Sequence, residues 1–268
     1  DHGKVENLAR AIRENFVFTG QYSQYKGRRH GRSGADIDPR RIVAYVQNHD
    51  QVGNRPLGNR LSTRVSFERQ KLAAAVVLLS PFVPLVFMGE EYGETAPFPF
   101  FAQFTDESLA LAVTQGRAKD LAKLGFPEKP LDPQSEAAFE KAHLDWTLRG
   151  RGQHAQLLEW YRTLLRVRRE HPALAVGRDR EATAFEEERL LLVRRTAEKS
   201  ELFIVYNFSD KPVDATLPIP AGTYRIVATS HDPRFGGNIL GATADVVSSG
   251  RVQLTLGALE SVVYTRVR

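Results

Sequence analysis

Two short apolar runs, Ile42–Val46 and Val83–Met88, flank an apolar helical segment at Phe67–Ser80. The first run lies between Pro39 and a polar cluster, which is the look of a buried parallel strand. In the second, Pro84 stands near the start, where a strand tolerates it. Ser66 precedes the helical segment as an N-cap, with Glu68 in the first turn, and Leu72–Leu79 is apolar almost all round, so this helix is expected to be largely buried. Strand, helix and strand over about 45 residues form a βαβ unit, and such a crossover implies a parallel sheet. Two parallel strands cannot bury both of their faces. The sheet therefore has to be completed by further strands, and a longer polypeptide of which this chain is the tail is the expected source.

Around that unit the pattern predicts a helix at residues 5–16, from Val5, Leu8, Ala9, Ile12 and Phe16 at helical spacing. A polar Gly/Arg-rich stretch follows at 19–40. Residues 93–152 read as a long irregular excursion with several prolines, longer than a plain connection, and such excursions carry function or cover a site. A further helix is expected at 153–170, with Leu157, Trp160, Tyr161, Leu164, Leu165 and Val167 on its apolar face and Pro172 closing it. Beyond residue 176 the texture becomes β-rich. Runs at Arg189–Arg194, Leu202–Asn207, Val213–Leu217, Tyr224–Ala228, Val252–Leu256 and Ser261–Val267 alternate with turn residues. These predict an antiparallel sandwich. The expected organisation is α/β plus all-β, with one domain at 1–175 and a second at 176–268.

Composition removes several classes. Of the 268 residues 42% are hydrophobic and 26% charged, an ordinary globular balance that leaves ample material for a core. No cysteine is present, so disulfides, thiolate catalysis and cysteine-ligated zinc or iron–sulfur sites are excluded. Pro81 and Pro84 keep the longest apolar run short of the ~20 residues that a membrane span needs. With no leader visible in the amphipathic start, the expected compartment is the cytoplasm. The net charge of +5 raises the question of a polyanionic partner. The one dense basic cluster, Lys26–Arg32, is glycine-rich and free of interleaved aromatics. Elsewhere basic residues alternate with acids, as at Arg178–Glu181. Neither a nucleic acid nor a membrane is expected as partner.

Two polar clusters follow the two strands, where parallel sheets place their sites. After the first comes Gln47-Asn48-His49-Asp50-Gln51-Val52-Gly53-Asn54-Arg55, too polar for a core; a loop that caps the sheet by hydrogen bonds and a site both fit it. No second His/Asp cluster stands at metal-ligand spacing, so no metal is expected. After the second strand comes Gly89-Glu90-Glu91-Tyr92-Gly93. These carboxylates either join the same site or brace the loop through Arg55 or Arg60. The aromatics Phe98, Phe100, Phe101 and Phe104 follow, suited either to stacking on sugar rings or to packing the long loop.

The segment Val46–Arg55 resembles the fourth signature region of glycoside hydrolase family 13, the α-amylase-type enzymes. The segment Val83–Glu91 resembles that family's eighth barrel strand. The wording of both segments, with Leu144-Asp145-Trp146 ahead of the last helix, is most similar to the members that act on malto-oligosyltrehalose and release trehalose. The resemblance implies that the chain supplies the last two β/α units of a (β/α)₈ barrel and then a C-terminal antiparallel β-sandwich. It implies α-retaining chemistry with a nucleophile and a general acid/base about 5–5.5 Å apart. Asp50 matches the third carboxylate, which stabilises the transition state, and His49 the neighbouring sugar-binding histidine. Gln51, Gly53, Asn54 and Arg55 would line the substrate path, with Glu90 and Glu91 supporting the loop or reaching substrate. No cofactor is implied. The partners implied are malto-oligosyltrehalose, related α-1,4-glucans and the remaining N-terminal part of the same enzyme. No residue here matches the nucleophile or the general acid, so this segment alone is expected to be inactive. A glucan branching enzyme or related α-glucan transglycosylase, and a non-catalytic glucan-binding module, stand as alternatives.

Overall fold

A computed structural model describes residues 2–126, 128, 130–175, 179–238 and 244–267. In chain order the helices are α1 (Val5–Glu14), α2 (His49–Gly53), α3 (Phe67–Leu78), α4 (Glu107–Lys123), α5 (Glu136–Glu140), α6 (Gly152–Glu170) and α7 (Pro172–Ala175). The first strands are β1 (Thr19–Ser23), β2 (Arg28–Gly31), β3 (Val43–Ala44) and β4 (Val83–Pro84). The later ones are β5 (Asp179–Phe185), β6 (Leu190–Ala197), β7 (Ser200–Asn207), β8 (Val213–Leu217), β9 (Gly222–Thr229), β10 (Val246–Ser248), β11 (Val252–Leu256) and β12 (Ser261–Arg266). The described residues divide into two compact units. The first comprises Asp1–Ala44, Lys71–Leu85 and Glu159–Arg268; the second, Tyr45–Gln70 and Val86–Leu158. The domain boundary expected after residue 175 adjoins residues 176–178, which lie outside the described residues.

In the first unit a six-stranded antiparallel sheet, in the order β10-β9-β12-β7-β6-β5, faces the two-stranded sheet β11-β8. Between them lies a core of Leu190, Leu192, Phe203, Val205, Leu217, Leu254, Leu256, Val262 and Tyr264. Each such side chain contributes roughly 1.5–3 kcal/mol relative to an exposed one. Strand β7 is buried on its other face too, at Leu202, Ile204 and Tyr206, and this accounts for its nearly continuous apolar sequence. The Tyr206 hydroxyl donates to the carbonyl of Ala75 at 3.4 Å. Lys71, fully buried, donates to the carbonyls of Ser230 at 2.7 Å and Phe235 at 3.0 Å. The Trp160 indole donates to Lys71 O at 3.0 Å. Arg168 donates to the carbonyls of Leu78, Ser80 and Phe82, closing the C-terminal end of α3.

Several elements differ from expectation. Strands β3 and β4 pair in parallel, as the βαβ pattern requires, but through two residues each, Val43 with Val83 and Ala44 with Pro84. Val43, Val83 and Leu85 stand 53%, 44% and 38% exposed, so this ladder has an open flank. The polar 19–40 stretch contains an antiparallel hairpin, β1-β2. The 93–152 excursion holds two helices, α4 and α5. Asp106 caps α4 by accepting from the N–H groups of Ser108 at 2.8 Å and Leu109 at 3.1 Å.

The second unit is organised around two buried side chains. Glu94 is 1% exposed, and its carboxylate is saturated. It accepts from the N–H groups of Thr95 (2.8 Å), Ala96 (2.8 Å) and Asp145 (2.7 Å), and from the Tyr92 hydroxyl at 2.9 Å. Arg60, also 1% exposed, donates to Ala96 O at 2.6 Å and Met88 O at 2.7 Å and lies 5.0 Å from the Phe87 ring centroid. Burial pushes the Arg60 guanidinium below its ordinary value, while the charge of Glu94 opposes that shift. Together they fix the Met88–Ala96 segment. Gly89 supplies the left-handed turn at φ +84° that it needs; a Cβ there would meet that of Glu94 at 2.7 Å.

Candidate active site

The polar run after β3 folds into the single-turn helix α2 because Asn48 caps it. The Asn48 side chain accepts from the Gln51 N–H at 2.9 Å. Gln47, 3% exposed, accepts from the Leu61 N–H at 2.9 Å and ties the start of the turn to the following loop. His49 and Asp50 therefore stand in the first turn, on a backbone that its own cap holds. Their side chains are 69% and 71% exposed, with His49 Nε2 3.4 Å from Asp50 Oδ1. Asp50 is not locked into a buried ion pair. It faces a cavity of about 450 Å³ lined by His49, Asp50, Gly53, Asn54 and Phe98–Phe101.

The aromatic wall is held by a close backbone approach. The Phe98 N–H donates to Gly58 O at 2.8 Å. Gly58 has φ +66°, and a Cβ on it would meet Pro99 N at 2.2 Å, so no other residue fits. Phe98 packs edge-to-face on Phe87 at 5.3 Å and on Phe101 at 5.7 Å. The opposite wall is pinned from behind by Arg117 of α4. Its guanidinium donates to Gly53 O and, at 3.2 Å, to Asn54 Oδ1. It also lies 4.6 Å from the centroid of the Phe100 ring.

Of the residues singled out from the sequence, His49, Asp50, Gly53 and Asn54 come together in this cavity. Gln51 and Arg55 do not line it. Arg55 donates to Asn59 O at 2.5 Å, and burial, then the charge of Arg64, lowers its guanidinium from the ordinary value. Glu90 is buried and Glu91 half-buried in the turn Glu90–Tyr92, and neither lines the cavity. Sequence reasoning passed over Arg117 and Glu94. The Asp106-Glu107 cap signal would have revealed the helix that carries Arg117, whereas nothing in the pattern separates Glu94 from its acidic neighbours. Among the described residues no group of three or more His, Cys, Asp or Glu is placed to hold a metal ion. Among them, too, no helix is long and apolar enough to cross a membrane.

What the cavity can do follows from its parts. A solvated carboxylate at a cap-fixed position can oppose a developing positive charge, while the imidazole and the Asn54 amide offer hydrogen bonds to hydroxyls. Phenylalanine faces suit the C–H side of a sugar ring.

Residues 184–267 match the alpha amylase C-terminal all-beta domain. The chain is 36% identical over 241 residues to the malto-oligosyltrehalose trehalohydrolase of Rhizobium sp. (strain M-11), covering 88% of this chain and 39% of that protein. To the enzyme of that name from Arthrobacter ramosus it is 41% identical over 242 residues, covering 90% and 38%. A crystal structure from Salmonella typhimurium described as an alpha amylase superposes with a TM-score of 0.79 at 32% identity, covering 98% of this chain and 41% of that one. An alpha-amylase from H.orenii shares the fold at a TM-score of 0.52 and 18% identity, over 84% and 40% of the two chains. The chain thus spans about two-fifths of the length of the curated relatives it matches. By these matches the chain is similar to a C-terminal portion of the malto-oligosyltrehalose trehalohydrolases, and its residues 184–267 to the alpha amylase C-terminal all-beta domain.

Proposed function

We propose that this chain is the part of a trehalose-releasing glycoside hydrolase that supplies the transition-state-stabilising carboxylate. The whole enzyme cleaves the α-1,4-glucosidic bond next to the terminal trehalose of malto-oligosyltrehalose. The observation that carries this reading is Asp50, solvated beside His49 and facing a cavity walled by Phe98–Phe101. As the glycosidic bond breaks, the anomeric carbon and ring oxygen share a positive charge. The Asp50 carboxylate opposes that charge and grips ring hydroxyls more tightly as the ring distorts, so it stabilises the transition state more than the bound sugar. His49 and Asn54 orient the sugar, while Glu90 and Glu91 support the loop behind it.

On this reading β3 and β4 are the last two strands of an eight-stranded parallel barrel. Residues 1–175 belong to that barrel, and residues 176–268 form the sandwich domain. The open flank at Val43 and Val83 is then covered by strands of the preceding part of the polypeptide. That part also carries the nucleophile and the general acid, whose covalent and proton-transfer steps Asp50 cannot replace. The chain by itself does not turn over substrate. The chemistry uses carboxylates alone and needs no metal or organic cofactor, and the cysteine-free composition suits the cytoplasm.

The test is Asp50→Asn in the polypeptide that joins this chain to the two remaining carboxylates, assayed for trehalose released from a malto-oligosyltrehalose. The change removes one charge at nearly constant volume. Turnover is expected to fall by about 10²–10³ with the melting temperature unchanged, and near-parental turnover refutes the role. New α-1,6 branches in place of free trehalose would reassign the enzyme as a branching transglycosylase. The aromatic wall beside Asp50 also fits glucan binding without chemistry. Tight maltoheptaose binding with no turnover in the longer polypeptide would favour that reading.

A further inference from the structure

The basic cluster Lys26–Arg32 has no part in lining the Asp50 cavity. Strands β1 and β2 carry it as a hairpin, with Tyr22 opposite Arg29 and Ser23 opposite Arg28. Lys26, Arg28, Arg29 and Arg32 are all exposed. No carboxylate among the described residues lies within ion-pair distance of any of them. Four cations within seven residues repel one another, and an anion that settles among them relieves that repulsion. At the base of the hairpin a cavity of about 360 Å³ opens, lined by Phe16, Val17, Phe18, His30, Gly31 and Arg32. Its volume falls within the ~300–1,000 Å³ of small-molecule sites. The frame is fixed by local geometry. Gly31 has φ +76°, and a Cβ on it would overlap Phe18 O, so only glycine closes the hairpin there. Asn15, 5% exposed, donates through its side-chain amide to Gly34 O at 2.6 Å and Ile37 O at 2.8 Å. A Cβ on Gly34 would meet the Phe16 ring at 2.6 Å, so the glycine lets that ring lie against the backbone, with 41% of Phe16 still open. Phe18 meets His30 edge-to-face at 5.7 Å and His2 at 5.5 Å.

We propose that this cavity, with the cations at its rim, binds a nucleoside phosphate. An open phenylalanine ring beside unpaired guanidinium groups is the composition of a pocket for a planar ring that carries an anion. The base stacks on Phe16. The phosphate meets Arg32, whose planar fork matches two phosphate oxygens at once, and the His30 imidazole offers a further hydrogen bond. Arg28 lies on the same face of β2 as His30 and adds a second cation. A neutral sugar would leave the cations unneutralised, and a bare anion would leave Phe16 open, so the two halves of the cavity select a ligand that has both. The site is independent of the role of Asp50.

The experiment is calorimetric titration of the full chain with AMP, ribose 5-phosphate and adenosine at about 0.15 M salt, where screening weakens loose ion atmospheres. The parent is compared with Arg32→Ala and Phe16→Leu. AMP is expected to bind about tenfold more tightly than ribose 5-phosphate, which lacks the base, and than adenosine, which lacks the charge. Arg32→Ala should weaken AMP about tenfold and leave adenosine unchanged. Phe16→Leu keeps apolar volume and removes the ring face, so it should weaken AMP severalfold and leave ribose 5-phosphate unchanged. Should Phe16→Leu fail to fold, Arg28→Ala, at an exposed position, takes its place and should weaken AMP and ribose 5-phosphate alike. AMP binding no tighter than that of ribose 5-phosphate overturns the proposal, since a solvated basic hairpin holds any phosphate equally. Parental AMP affinity in Arg32→Ala overturns it, as does a parent chain that binds no AMP.

Discussion

The Arg117 guanidinium lies 4.6 Å from the centroid of the Phe100 ring while donating to Gly53 O and Asn54 Oδ1. One side chain from the long excursion thereby holds both walls of the Asp50 cavity, without lining it. Lysine at this position keeps the charge but loses the planar fork that satisfies two acceptors and covers a ring at once. On the proposed function, Arg117→Lys in the polypeptide that joins this chain to the two remaining carboxylates is expected to raise KM for malto-oligosyltrehalose several-fold, and in this chain to lower stability by about 1 kcal/mol. Unchanged KM and unchanged melting would show that the walls stand without it.

Gly58 faces a different constraint. With φ +66° and Pro99 N in the place of a would-be Cβ, Gly58→Ala displaces the Phe98–Pro99 backbone. Strain of this kind is about 1–3 kcal/mol. We expect a matching loss in chemical denaturation and, on the proposed function, weakened maltoheptaose binding, because the displaced segment is the aromatic wall.

Glu94→Gln tests the hub of the second unit. The carboxylate accepts four hydrogen bonds, and an amide offers only one oxygen, turning its NH₂ toward groups that are themselves donors. Arg60 also loses the charge that opposes the effect of its burial. A loss of about 2–4 kcal/mol is expected in a calorimetric or urea-unfolding measurement. Glu91→Gln, in a half-buried turn position, should change stability by less than about 0.5 kcal/mol.

His171 makes stability depend on pH. Burial lowers its imidazole from the ordinary 6.5, with Glu170 opposing. Below pH 6.5 the unfolded chain therefore takes up a proton before the folded one does, and stability falls as the pH drops through the folded value. The contribution is fully present above 6.5. Urea midpoints measured from about pH 7.5 to about pH 5 should decline less steeply in His171→Gln than in the parent. Parallel curves would remove His171 as a cause.

How far the sequence could be read depended on which residues carry a repeating signal. The β-rich third was legible because Leu190, Leu192, Phe203 and Val205 alternate or run as buried strands do, and Val213–Leu217 and Val252–Leu256 coincide with β8 and β11. Strand β10 was missed because three residues are too few for a period. The hairpin at 19–31 escaped because its residues are polar and mostly exposed. Helix α4 escaped because Leu109 and Leu111 are 46% and 59% exposed, so it shows no apolar face. At the site, His49 and Asp50 were legible through their place after a strand and a familiar wording. Glu94 was not, because Glu90, Glu91 and Glu94 offer identical chemistry. The left-handed Gly89 and Gly93 bound the Glu90–Tyr92 turn, and of the three carboxylates Glu94 is buried most deeply, at 1% exposure.

The two-residue parallel ladder has a practical side. Val43, Val83 and Leu85 present apolar surface next to main-chain groups that a neighbouring strand would pair. A concentrated solution of this polypeptide will tend to self-associate there, and light scattering that rises with protein concentration is its signature. Lysine at Val83 should keep the sample clear, making preparations of the 268-residue chain easier to handle.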